Sequence, residues 1–364
     1  MSLISTLSRA VLLLLCVANL TACHSIPASW FSWLGYTRQR PAPQPVPIAS
    51  DRLVLSSPTD DVVGQLQVVV AGYNDTLPDI ARRFNLGYEE IVAANPGVSI
   101  DTPRGMRIVL PTQFILPPAP RRGIVINLAT LRLFYFPPTP EPDGSQVVIT
   151  HPVGIGREGW TTPLGQTRIV SKEQAPRWYV PASIRREHAT WGDPLPSQVP
   201  PGPRNPLGTH ALHLARPGYL IHGTNKPGGI GMRVSHGCIQ LYPEDIVSLY
   251  AQVPVGTPVT IVNQPVLAGW YQGTLYLEAH PPLQDDHRNW RKAVRPLIAS
   301  RAAQAKADQP VIAVDWDKVN RLVAKPRGLS LPVLVGTPTL EEILASTPVV
   351  DWGRSELARE GSVP

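Results

Sequence analysis

Two short apolar runs, Tyr219–Ile221 and Ile239–Leu241, bracket a glycine-rich loop, and polar groups stand at their inner ends. His222 follows the first run; His236 and Cys238 precede the second. Short apolar runs bounded by turn residues read as buried strands, so the three polar groups are placed at strand ends, where catalytic side chains are commonly held. Gly237 directly before the thiol lets the backbone turn sharply and lets a substrate approach closely. Pro243 suits a first helical turn, and Glu244 and Asp245 favour the positive end of a helix dipole, so a helix follows at once. The chemistry of such a group is nucleophilic catalysis by cysteine. A free thiol titrates near ~8.5 and becomes competent when a histidine or a helix N-terminus stabilises its thiolate. One histidine must then act as base, a third group must hold its ring, and the N–H groups around Gly237 and Cys238 are candidates for the oxyanion.

The residues H-G-T (His222–Thr224), the glycine loop, S-H-G-C-I-Q-L (Ser235–Leu241) and, upstream, V-G-I-G-R-E-G-W-T-T-P-L-G (Val153–Gly165) are separated segments with a definite order and spacing. Over residues 123–262 this pattern resembles the catalytic motif of the L,D-transpeptidases, the YkuD-type domain of bacterial cell-wall enzymes. The resemblance implies a mainly β catalytic domain, a β-sandwich. It implies Cys238 as nucleophile, His222 as base, the Gly223 carbonyl as the group that orients the imidazole, and His236 with Gly237 shaping the oxyanion site. Where the family usually carries Arg two residues after the cysteine, this chain has Gln240. Lys226, Arg233, Ser235 and Gln240 are candidate substrate contacts, the two cations as partners for carboxylates of a peptide stem or else as solvated loop charges.

The implied reaction is attack on the carbonyl between the L-centre of a diamino acid (meso-diaminopimelate) and the terminal D-alanine of a tetrapeptide stem. The acyl group then passes to an amine of a second stem or of a wall-anchored lipoprotein. The same site could pass it to water, as a carboxypeptidase or a lipoprotein-releasing amidase. From another class, the chain could be chiefly a wall-binding module with weak catalysis, against which the intact His222 and Cys238 argue. A zinc site is the rival chemistry. If Thr209–Leu214 is a strand, His210 and His213 face opposite sides of it, and no paired Cys or His spacing occurs, so neither metal nor cofactor is expected.

The chain has 364 residues, enough for two or three domains, and 42 prolines, which imply extended linkers and many irregular loops. Residues 1–22 read as an export signal with an apolar core too short to span a membrane stably. L-T-A-C (Leu20–Cys23) resembles a lipobox that leaves Cys23 lipidated, and the absence of aspartate after it resembles outer-membrane anchoring on the periplasmic side. Of the 3 cysteines, Cys16 leaves with the signal and Cys23 carries lipid, so Cys238 remains as an unpaired thiol that is either hidden or used. Residues 23–60 include R-P-A-P-Q-P-V-P and read as a tether, long enough to reach ~100 Å in polyproline II form.

Residues 61–113 read as a small β-α-α-β unit: strand L-Q-V-V-V, a helix Leu77–Phe84 capped by Asp75 and Thr76, a helix Tyr88–Ala94, and strand R-I-V-L-P. This order resembles the LysM domain, a binder of N-acetylglucosamine-containing glycans, with Pro78 in place of the usual aromatic. Residues 122–263 form the catalytic domain, with Trp178–Val180 and the segment Ser183–Pro203 as an insertion, either a lid or cleft wall or a solvated loop. Residues 264–364 form a partly helical C-terminal extension. It has a basic helical pattern broken at Pro296, further helices at Val314–Val323 and Thr339–Ser346, and a cap at Thr337 or Thr339. It is expected to pack on the catalytic sheet or contact a partner. The net charge of +6 suits anionic wall and lipid surfaces, and nothing points to nucleic acid.

Overall fold

The computed structural model describes residues 51–57, 59–304 and 313–350. The export signal, Cys16, Cys23 and residues 23–50 of the tether lie outside the described residues. The N-terminal part contains β1 (Arg52–Leu55), β2 (Val62–Gly64), β3 (Gln67–Val70), α1 (Leu77–Arg83), α2 (Tyr88–Ala94), β4 (Arg107–Leu110) and β5 (Gln113–Ile115). The central part begins with β6 (Gly123–Asn127), β7 (Arg132–Phe136), β8 (Gln146–Pro152), β9 (Ile155–Gly156), β10 (Gly165–Gln174), β11 (Trp178–Tyr179), α3 (Ala182–Thr190) and β12 (Gln198–Val199). It continues with β13 (His210–Leu214), β14 (Leu220–His222), β15 (Arg233–Ser235), β16 (Ile239–Gln240), α4 (Pro243–Gln252) and β17 (Pro258–Val262). The C-terminal part holds β18 (Val266–Tyr271), β19 (Thr274–Ala279), α5 (Trp290–Ala302), α6 (Trp316–Ala324), β20 (Leu331–Pro332), α7 (Leu340–Ser346) and β21 (Val349–Val350).

Nine strands form one mixed sheet in the order β1-β8-β7-β6-β17-β10-β13-β14-β16. The expected two layers arise by folding this sheet across β10 rather than from two separate sheets. Gly165–Arg168 of β10 pair with β17, whereas Ile169–Gln174 pair with β13, and the register shifts between Ile169 and Ser171. A bulge of this kind bends a strand and lets it pass from one layer to the next. Ile124, Ile126 and Leu133 from one half meet Leu212, Ile221 and Ile239 from the other in a shared core, closed by Ile246 and Leu249 of α4.

Alternation along β6, β7 and β8 sends Val125, Phe134, Phe136 and Val148 to the opposite face. There they pack on Leu77, Ile80, Ile91 and Ile108 of the β-α-α-β elements. Both faces of β6 and β7 are therefore covered, and every residue in them is buried. The N-terminal unit is thus the back wall of the catalytic sheet and not a separate bead. Its helix caps follow the sequence only in part. Thr76 caps α1 in a reciprocal box with Asp79, while Asp75 accepts the Gly72 N–H at 2.6 Å and pairs with Arg83.

One charged pair crosses this junction. Arg132 of β7, 1% exposed, donates from Nε and a terminal nitrogen to both carboxylate oxygens of Glu90 on α2, at 2.7 and 2.8 Å. The same guanidinium donates to the Asn85 carbonyl at 2.9 Å and to Thr150 Oγ1 at 3.2 Å.

Two expectations are corrected. Residues 52–55 are not tether but an edge strand, β1, paired antiparallel with β8; the apolar triplet Leu53–Leu55 completes the sheet. Pro296 does not break its helix, since α5 runs through it. The C-terminal extension does pack on the catalytic core, through Leu283 and the Asp285–Arg233 pair, and it also packs on the N-terminal unit: Leu329, Leu331 and Leu340 join Leu66, Ala94 and Val109, and β21 adds in parallel to β3. Thr339, of the two candidates, caps α7.

Candidate active site

β14 and β16 are neighbours and parallel, with His222 opposite Gln240. Cys238 lies two residues before Gln240, and side chains two apart on an extended segment share a face. The fold thus brings His222 and Cys238 to one side of the sheet, one ladder step apart. His222 is 3% exposed, and its Nδ1–H donates to the Gly223 carbonyl at 2.6 Å. That bond selects the tautomer and leaves the Nε2 lone pair open. Burial pushes the imidazole down to about 4, partly offset by the Gly223 and Leu207 carbonyls. Burial also pushes the Cys238 thiol up, opposed by the backbone at Leu220. Both effects disfavour charge and favour a neutral thiol and a neutral imidazole, and the thiol donates to the Gly218 carbonyl at 3.6 Å.

The turn into the cysteine is built from short bonds. Gly237 adopts φ +105°, and a Cβ there would lie 2.9 Å from the Tyr219 ring. Ser235 Oγ donates to the Cys238 carbonyl at 2.6 Å and accepts the Gly237 N–H at 3.1 Å. Thr162 Oγ1 donates to the Gly237 carbonyl at 2.9 Å. Two expectations change accordingly. Ser235 is buried and holds the turn instead of meeting a substrate, and the Gly237 amide is already bonded. The Cys238 amide has no acceptor among the described residues.

Arg233 is also committed elsewhere. Its guanidinium donates to both oxygens of Asp285 at 2.8 and 3.0 Å and to the Gly156 carbonyl at 3.1 Å, so its charge is neutralised within the chain. Lys226 is exposed and has no ion-pair partner among the described residues. Gln240 is half-buried, and its backbone exchanges both hydrogen bonds with Gly154. His210 packs at a tilt against the Tyr250 ring and His213 pairs with Glu173 at 3.0 Å. Among the described residues no three of His, Cys, Asp and Glu converge as a metal site would require.

Sequence reasoning missed the surroundings of His236. Its Nε2 lies 2.7 Å from Glu187 Oε2 of α3, 3.1 Å from an Arg157 nitrogen, and its ring meets Trp160 edge-on at 4.7 Å. The insertion is therefore a wall of the site. Arg157 and Trp160 lie inside the quoted Val153–Gly165 segment and were findable there; nothing in the sequence singles out Glu187.

The glycine loop is gripped from behind. The Tyr88 and Glu89 amides at the start of α2 donate to the Ile230 and Gly231 carbonyls at 3.1 and 3.2 Å. Gly231 has φ +78°, and a Cβ on it would fall 2.3 Å from the Gly87 Cα. Gly231→Ala should therefore cost about 2–4 kcal/mol from left-handed strain plus backbone collision. A urea-melt loss below ~1 kcal/mol would show that this contact is slack.

Residues 121–261 match the family model described as the L,D-transpeptidase catalytic domain, YkuD. The chain is 40% identical over 261 residues to "Probable L,D-transpeptidase YbiS" of Escherichia coli (strain K12), covering 70% of this chain and 83% of that protein. It is 38% identical over 287 residues to "Probable L,D-transpeptidase ErfK/SrfK" of Salmonella typhimurium, covering 77% and 90%. It is 44% identical over 223 residues to "Probable L,D-transpeptidase YcfS" of E. coli K12, covering 60% and 68%. With relatives this similar over more than two thirds of its length, and the matched region running from β6 into β17 with both His222 and Cys238, this chain belongs to the L,D-transpeptidase family through a YkuD-type catalytic domain.

Proposed function

We propose that this enzyme acts on peptidoglycan through a Cys238 acyl-enzyme, with His222 as the base. The observation that carries the reading is the bond from His222 Nδ1 to the Gly223 carbonyl, which leaves Nε2 as the acceptor on the face shared with Cys238. Cys238 Sγ attacks the carbonyl before the terminal D-alanine of a tetrapeptide stem, and its proton moves to His222 Nε2 as the S–C bond forms. The oxyanion takes the free Cys238 N–H. As the C–N bond breaks, Nε2 returns the proton to the departing D-alanine amine, leaving a thioester. An acceptor amine then attacks the thioester, gives a proton to His222, and displaces the cysteine sulfur, which regains a proton. The acceptor is a second stem or a lysine of a wall-anchored lipoprotein; with water in that place the enzyme would be a carboxypeptidase or amidase.

The same reading places the chain in the periplasm, held through lipid on Cys23 at the outer membrane because the residue after it is not aspartate, and assigns residues 61–113 a LysM-like contact with glycan. Incubation with purified sacculi and mass analysis of the muropeptides tests it. Dimers joined through two diamino acids indicate a stem acceptor, and stems shortened to tripeptides without dimers indicate water. Sacculi unchanged in both respects, with and without an added lysine-bearing acceptor peptide, would reject the reading.

The neutral resting pair has a pH consequence. His222 must be unprotonated to accept the thiol proton, and its folded value is about 4. Activity should therefore persist as pH falls through the ordinary imidazole range near ~6.5 and be lost only towards pH ~4. A kcat/KM acid limb centred near ~6.5 would mean that the imidazole is solvated during turnover.

A further inference from the structure

The helix of the insertion turns one side chain into the site. On α3, Ile184, Glu187 and His188 share a face by their spacing of three and four, and Ile184 is buried while Arg185 and Arg186 are exposed. Glu187 Oε1 accepts from Arg157 at 2.5 Å and from the Trp160 indole N–H at 3.3 Å, and Oε2 lies 2.7 Å from His236 Nε2. A carboxylate at that distance can only accept, so His236 carries its proton on Nε2. Arg157 is a donor as well and cannot bond to a protonated Nε2; its role is to hold the carboxylate. The Arg157 hydrogen bond, ahead of those from His236 and Trp160, keeps the carboxyl down at about 2, so it stays ionised wherever the enzyme works.

The ring held in this way stands beside the cysteine turn. His236 immediately precedes Gly237, and the Trp160 carbonyl lies 3.5 Å from where a Gly237 Cβ would be. We propose that Glu187 is a positioning residue for acyl transfer, fixing the tautomer and orientation of His236 and, through it, the turn that presents the Cys238 N–H to the oxyanion. This rests on the roles read above for Cys238 and His236. Glu187 does not touch the reacting atoms, so it should govern the rate and not substrate capture. It also gives the insertion a function: the segment from β11 to β12 carries one half of a clamp whose other half is the Arg157–Trp160 loop.

The test is D-alanine release from a soluble tetrapeptide stem by the full chain, with Glu187→Gln, Glu187→Asp, His236→Ala and the Glu187→Gln/His236→Ala pair. Loss of such an orienting partner typically costs ~10–100-fold. Glu187→Gln should lower kcat by about tenfold or more, leave KM within about twofold and leave Tm unchanged, and Glu187→Asp should recover part of the loss. In the His236→Ala background Glu187→Gln should change kcat by less than about twofold, because its target is gone. An equal loss in both backgrounds, an effect confined to KM, or full activity in Glu187→Gln would overturn the proposal. Wild-type kcat in His236→Ala would reject the role of His236 and this proposal with it. Turnover in Cys238→Ala would instead reject the thiol mechanism itself.

Discussion

Cys238→Ala should release no D-alanine and form no covalent stem adduct, whereas His222→Ala should keep a trace of both. The difference follows from what each change removes. Cys238 is the free thiol of the described chain, so without it there is no atom to carry the acyl group. His222→Ala keeps the sulfur and removes its proton acceptor, a loss typically worth ~10²–10⁴-fold. The residual rate in His222→Ala should rise steeply only at high pH, because burial holds the thiol above its ordinary value and little thiolate exists at neutrality. Initial rates of both variants from pH 6 to 10 check this. Turnover by Cys238→Ala that depends on added zinc would revive metal chemistry.

The second large effect is on stability. Glu90→Ala leaves the Arg132 guanidinium 1% exposed and without its carboxylate, between the sheet and α2. Removing one partner of a buried pair costs about 3–5 kcal/mol, since the other charge stays desolvated. Arg132→Met together with Glu90→Leu removes both charges and should be much milder, within about 1–2 kcal/mol of wild type. The ring of Phe114, 4.1 Å from the guanidinium carbon, is placed to accept the methionine. Equilibrium urea unfolding of the three proteins measures this. If Glu90→Ala costs less than ~1 kcal/mol, the N-terminal unit is not clamped to the sheet as described. A large cost would also explain why deletion of residues 61–113 cannot be read as loss of glycan binding alone: it strips the cover from Val125, Phe134 and Phe136.

What the sequence made legible was local. The apolar runs around the glycine loop, the cap at Thr76, the sharp turn at the glycine before the cysteine and the Pro243 helix start each depend on residues a few positions apart. The elements misread depend on partners far along the chain. Arg82 meets Glu244 across 162 positions, Arg132 meets Glu90 across 42, and Arg233 meets Asp285 across 52. No periodicity reports such pairings, so Arg233 read as a free cation and the N-terminal unit as a separate module. β1 was lost for the same reason: four residues gain a ladder only because β8 offers an edge. Glu187 has no signature at all, because its role comes from the way α3 is laid against His236.

The central claim is that the acyl group is carried on Cys238. Intact-protein mass spectrometry after brief mixing with a tetrapeptide stem, followed by peptide mapping, tests it most directly. The expected result is one adduct equal to the stem less D-alanine, mapped to Cys238 and absent from Cys238→Ala. An adduct on any other residue, or D-alanine release by Cys238→Ala, would contradict it.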